Sequence, residues 1–180
     1  ETGKTGTVKV FGCPAEETGF GKSFMVKRGC FEGVDMCFTW HPMDHTSLLS
    51  RTLGYYKVRF DFKGTASHAG GAPELGRSAL DACELMNVGV NYLREHIISS
   101  ARVHYAYLDA GGDAPNTVQD HASLLYFVRA PRLADSAAIL ERVKKIAKGA
   151  ALMTETEVNI KVLGGMSDNI PNPTASRILS

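Results

Sequence analysis

Residues 56–63 alternate strictly: Tyr56, Val58, Phe60 and Phe62 are apolar, and Lys57, Arg59, Asp61 and Lys63 are charged. Neighbouring side chains of a strand point to opposite faces, so a period of two predicts a strand with one buried and one wet face. The next element must cover the buried face. Leu75, Ala79, Ala82, Met86, Val90, Leu93 and Ile97 recur three or four apart, the stripe of a long helix over Glu74–Ile97. Its opposite face carries Arg77, Asp81, Glu84, Asn91 and Arg94.

Val103, Tyr105 and Tyr107 mark a second strand, and Gly111-Gly112-Asp113-Ala114-Pro115 signals a loop before a third strand over 117–129. Asp135 is placed to cap a second helix, Ser136–Met153. Val158, Ile160 and Val162 end the pattern as a fourth strand. The order β-α-β-β-α-β, with right-handed crossovers, predicts a four-stranded antiparallel sheet with two helices on one face. The expected fold class is therefore an α+β ferredoxin-like sandwich over residues 55–166, its other sheet face open.

Residues 1–54 read differently. Val8–Phe11 and Val34–Trp40 are expected as apolar strands and Gly21–Arg28 as a short helix between them, a strand-helix-strand slice of an α/β sheet. This part is too short to bury a core of its own. The start Glu1-Thr2-Gly3-Lys4 is neither a signal peptide nor an initiator. Both points lead to the expectation of a fragment. Residues 167–180, with Pro171 and Pro173, are expected as an exit linker.

The formal net charge of +1 gives no whole-chain field for nucleic acid or an acidic membrane. No apolar run approaches the roughly 20 residues of a membrane helix. Cys13, Cys30, Cys37 and Cys83 lack CxxC spacing and read as thiols of a reducing cytoplasm. The expected partners therefore exclude nucleic acid and membrane.

Candidate chemistry starts at Cys13-Pro14-Ala15-Glu16-Glu17. Adjacent acids on an extended segment face opposite ways, so one can hold a metal while the other moves a proton; a solvated turn is the alternative. His41 follows the second expected strand. If both strands share a parallel sheet, Glu17 and His41 reach one rim, where α/β proteins bind ligands. A carboxylate and an imidazole suit zinc or manganese, but two ligands are not a site, and His41 also fits as a rim or core histidine. Ser67-His68-Ala69-Gly70-Gly71-Ala72-Pro73 is a small-residue loop in which His68 can donate to a developing oxyanion or be an ordinary loop histidine. Asn116 and Arg129 are further polar candidates. Arg129 can hold a carboxylate bidentately or be an edge arginine in water.

Pro14-Ala15-Glu16-Glu17, Gly33-Val34-Asp35, His41-Pro42, Ser67-His68-Ala69 and Gly76-Arg77-Ser78-Ala79-Leu80-Asp81-Ala82 together resemble the aminoacylase-type zinc peptidase family, in its hippurate hydrolase-like amidohydrolase branch. The resemblance covers nearly the whole chain. It implies Glu16 as general base, Glu17 and His41 as ligands of a divalent metal (zinc or manganese), and His68 as an oxyanion donor reaching a partner's active site. It implies Asn116 and Arg129 as substrate contacts. It implies residues 1–54 as part of the catalytic domain, 55–166 as a lid and dimerisation domain, and 167–180 as the return linker. The implied substrate is a small N-acyl amino acid, and the implied partner is a second copy or a related subunit. The family's remaining metal ligands have no counterpart in this chain, so metal binding is expected to be weak or absent and the chain alone inactive. A non-catalytic dimerisation or binding module is the competing expectation.

Overall fold

The structure is a computed structural model describing residues 3–17, 20–48 and 51–179; Glu1 and Thr2 of the expected fragment start, and Ser180 of the expected linker, lie outside these. The chain divides into two compact units, Glu1–Thr46 and Ser47–Ser180.

In the second unit, β1 (Gly54–Lys63), β3 (Arg102–Asp109), β5 (His121–Ala130) and β6 (Glu157–Met166) form one sheet in the order β3-β5-β1-β6, antiparallel at every pairing. A two-residue ladder, β2 (Ser67–His68) with β4 (Thr117–Val118), stands apart. Helices α2 (Ala79–Leu93) and α3 (Leu133–Thr154) cover one face. Val58, Phe60 and Phe62 of β1 pair in register with Tyr126, Leu124 and Ala122 of β5, all buried. Met86 and Val90 of α2 and Val143 and Ala147 of α3 close over them, each fully buried. Lys57, Arg59 and Asp61 alternate onto the uncovered face. This is the ferredoxin-like sandwich that the period of two and the helical stripes predict.

Details differ from the sequence reading for local reasons. The expected helix Glu74–Ile97 is interrupted. Pro73–Leu75 is a single 3-10 turn, and Arg77 is extended, exchanging two 2.9 Å backbone hydrogen bonds with Thr65. Ser78 then caps α2, its Oγ accepting from Asp81 N–H at 3.0 Å. The expected strand 117–129 is two strands, because β4 pairs with β2 and the chain then turns at Gln119-Asp120 into β5. Asp135 lies in the first turn of α3 and is not its cap. Asp168 takes that role from beyond β6, its Oδ1 accepting from Leu133 N–H at 2.9 Å. The expected linker carries a helix, α4 (Pro173–Leu179).

In the first unit, α1 (Gly21–Lys27) matches the expected helix. Val8–Phe11 and Val34–Trp40 do not form strands. A strand exists only through a ladder partner, and these segments have none: Val8, Val10 and Trp40 are 91%, 94% and 84% exposed. The α/β-sheet expectation for this part is thereby corrected. Among the described residues, no helix is long and apolar enough to cross a membrane.

Candidate functional site

His68 is held by backbone on both sides. It pairs with Thr117 in the small ladder, and Ala69 N–H donates to the Asn116 carbonyl at 2.9 Å. The structure thus brings together two sequence candidates, His68 and Asn116, both exposed, from segments 48 residues apart. The small residues after His68 make this possible. Gly71 and Ala72 N–H both donate to the His68 carbonyl, at 3.1 and 3.0 Å. Ser67 Oγ donates to the Ala72 carbonyl.

The ring is oriented as well. Gly70 N–H donates to His68 Nδ1 at 3.1 Å. In the neutral imidazole a nitrogen that accepts is bare, so the proton sits on Nε2 and Nε2 is the donor. A hydrogen-bond donor fixed in place by backbone contacts can stabilise an oxyanion once a site excludes water around it. Just upstream, Gly64 lets the chain pass close to Arg77: a Cβ there would lie 1.9 Å from the Arg77 carbonyl oxygen.

Arg129 is elsewhere. It lies eight residues along β5 from His121, about 27 Å at the rise of a strand, and so at the far end of the sheet from the turn that leads out of Asn116. On the open face its Cζ sits 4.9 Å from the Tyr55 ring centre and 5.0 Å from that of Phe127. Its Nε is buried without a hydrogen-bond partner. Nearby His104 has its pKa pushed down, by burial first and then by the charges of Arg129, Arg94 and Arg102, so this end of the face is electropositive.

Glu16, Glu17 and His41 are all exposed in the first unit. Glu16 and Glu17 lie in a turn, not at a strand end, and His41 Nδ1 lies 2.9 Å from the Pro42 carbonyl. Among the described residues no three His, Cys, Asp or Glu side chains gather as a metal-holding group. Zinc needs about four ligands, counting water, so the donors of this chain do not by themselves fit a metal ion.

Sequence reasoning missed the aromatic pair under Arg129 and the contact between His121 and its two aspartates. The His121 ring lies 2.6 Å from Asp120 Oδ1 through Nδ1 and 3.3 Å from Asp109 Oδ2 through Nε2. The signal for the first was present: Tyr55 and Phe127 fall on the wet parity of their strands.

Fold and site together define a ferredoxin-like α+β domain with one sheet face left open. More narrowly, residues 51–155 match the peptidase dimerisation domain, and the chain belongs to that family. It is 51% identical to the B-type subunit of the p-aminobenzoyl-glutamate hydrolase of Escherichia coli, over 96% of this chain and 36% of that protein. It is 32% identical to the Xaa-Arg dipeptidase of Mus musculus, over 86% of this chain and 36% of that protein. The crystal structure of an aminobenzoyl-glutamate utilization protein from Klebsiella pneumoniae superposes with a TM-score of 0.61 at 26% identity, covering 74% of this chain and 35% of that one. The chain spans about a third of the length of the curated relatives it matches, and these relatives are hydrolases.

Proposed function

We propose that this chain is the lid-bearing part of a metal-dependent amidohydrolase that cleaves N-acyl amino acids, aroyl-glutamates among them. The observation that carries the reading is the His68–Asn116 junction, a backbone-fixed Nε2 donor whose neighbour Ala69 bonds the Asn116 backbone carbonyl, in a chain half identical to one subunit of a p-aminobenzoyl-glutamate hydrolase. His68 donates to the oxyanion of the tetrahedral intermediate, and Asn116 and Arg129 hold the substrate. Glu16 takes the proton of the attacking water. Glu17 and His41 supply two donors to a zinc or manganese ion whose other ligands lie outside this chain. Bound there, the ion would act as a Lewis acid. The chain by itself is inactive. Its unpaired cysteines suit the cytoplasm.

The separation of Arg129 from His68 supports a site shared between two copies, because one small substrate cannot span the sheet. Edge strand β3 has an open ladder beside exposed Tyr105, Tyr107 and Leu108, and α2 carries an uncovered stripe of Leu85, Val88 and Tyr92. Such an edge is a template for pairing. Antiparallel β3–β3 pairing about a two-fold axis sets the Asn116 end of one copy beside the Arg129 end of the other, and β5 is the strand next to that edge. The subunit naming of the Escherichia coli relative fits either a second copy or a related partner subunit.

In a longer hydrolase carrying this chain, His68→Ala is expected to lower turnover of N-acyl amino acids by about 100-fold, the cost of losing one oxyanion donor, with bound metal unchanged. Unaltered turnover would remove His68 from the mechanism.

A further inference from the structure

The open sheet face carries two cations on one ring. Tyr55 and Lys57 of β1 and Phe127 and Arg129 of β5 alternate onto it, Tyr55 opposite Arg129 and Lys57 opposite Phe127. The two rings lie 5.4 Å apart, and Lys57 Nζ stands 5.7 Å from the Phe127 centre, on the ring that Arg129 also overlies. All four side chains are half-buried. Arg102 and His104 of β3 continue the row, opposite Arg129 and Phe127. On the other flank Lys57 faces Gly164, which has no side chain to obstruct the ammonium.

Among the described residues no carboxylate pairs with Lys57, Arg102 or Arg129. The neighbouring acid on this face, Asp61, is committed to Arg59 at 2.6 Å. Two cations over one ring repel each other and give up solvent, and cation–π attraction offsets only about 0.5–2 kcal/mol. A ligand bearing two carboxylates relieves both.

We propose that Lys57, seated beside Arg129 on the Tyr55–Phe127 pair, selects dicarboxylate ligands. Arg129 takes one carboxylate through its planar fork, and Lys57 takes the second as a point charge. The inference rests on the reading of Arg129 as a substrate residue and adds to it the residue that favours an acidic amino-acid side chain over its amide.

The test is titration of the 180-residue chain with N-benzoyl-glutamate and with N-benzoyl-glutamine, followed by backbone amide NMR. The expected result is shifts centred on Tyr55–Lys57 and Phe127–Arg129, with the glutamate derivative about five- to tenfold tighter, the scale of one partly exposed charged contact. Lys57→Gln should erase that preference, bringing the two affinities together, and Lys57→Arg should keep it. Equal affinities, a preference that survives Lys57→Gln, shifts elsewhere, or no binding of either compound would each overturn the proposal. A His68→Ala effect on turnover with no Lys57-dependent preference would sink this inference and leave the hydrolase reading standing. The reverse pattern would remove His68 from the mechanism and keep the dicarboxylate site.

Discussion

At His68 the N–H of Gly70 occupies Nδ1, and that one backbone contact decides which nitrogen can serve an oxyanion. His121, at the base of the loop that carries Asn116, answers to charge instead. Its pKa is raised from the ordinary 6.5, chiefly by the Asp120 hydrogen bond; burial opposes the shift, and the charges of Asp109 and Asp120 add to it. A raised folded-state pKa means that protonation favours the fold: the contribution is fully present below the unfolded value and is lost as pH rises through the folded one. The unfolding midpoint of the wild-type chain should therefore exceed that of His121→Gln most clearly below the ordinary imidazole value, with the gap closing as pH rises above it. A gap that is constant with pH, or that widens at high pH, would contradict the assigned contact. Cys83 makes the contrasting case. Its thiol is pushed up to about 12, mainly by burial, and it serves as core.

The elements that sequence makes legible are those with a long period. Four alternations gave β1, and the stripe from Ala79 to Leu93 gave α2, because each repeats one environment many times. β2 and β4 have two residues each, too few for any period, and they exist through each other. The Asp168 cap was hidden for a different reason: it is 35 residues from the N–H it serves, whereas Asp135 looked right locally. Asp168→Ala is expected to cost about 1 kcal/mol, the usual worth of a helix cap, read as a lowered urea midpoint with an unchanged slope. Asp135→Ala should cost less. If Asp135→Ala proved the more damaging, the long-range cap would be wrong.

At the scale of the whole molecule, the four-stranded sheet and two covering helices of the second unit could be read from the chain, but the pairing that brings His68 to Asn116 could not. Residue types and spacing singled out Glu17 and His41, but the described residues gather no metal-holding group, so the geometry of this chain does not set the two apart from other exposed polar side chains. The distance between Arg129 and the His68–Asn116 junction was also invisible in sequence, since it depends on which end of β5 each occupies. That distance yields the central claim, that a working site draws His68 and Asn116 from one copy and Arg129 from another. In a longer hydrolase carrying this chain, a His68→Ala copy mixed with an Arg129→Ala copy leaves one intact site per mixed dimer if the two residues act across the interface, and none if they act within one chain. The deciding measurement is the turnover of isolated mixed dimers, each parent variant being nearly inactive. The expected result is about half the wild-type rate per dimer, from one working site of two; turnover no higher than that of the separate variants would contradict the shared site.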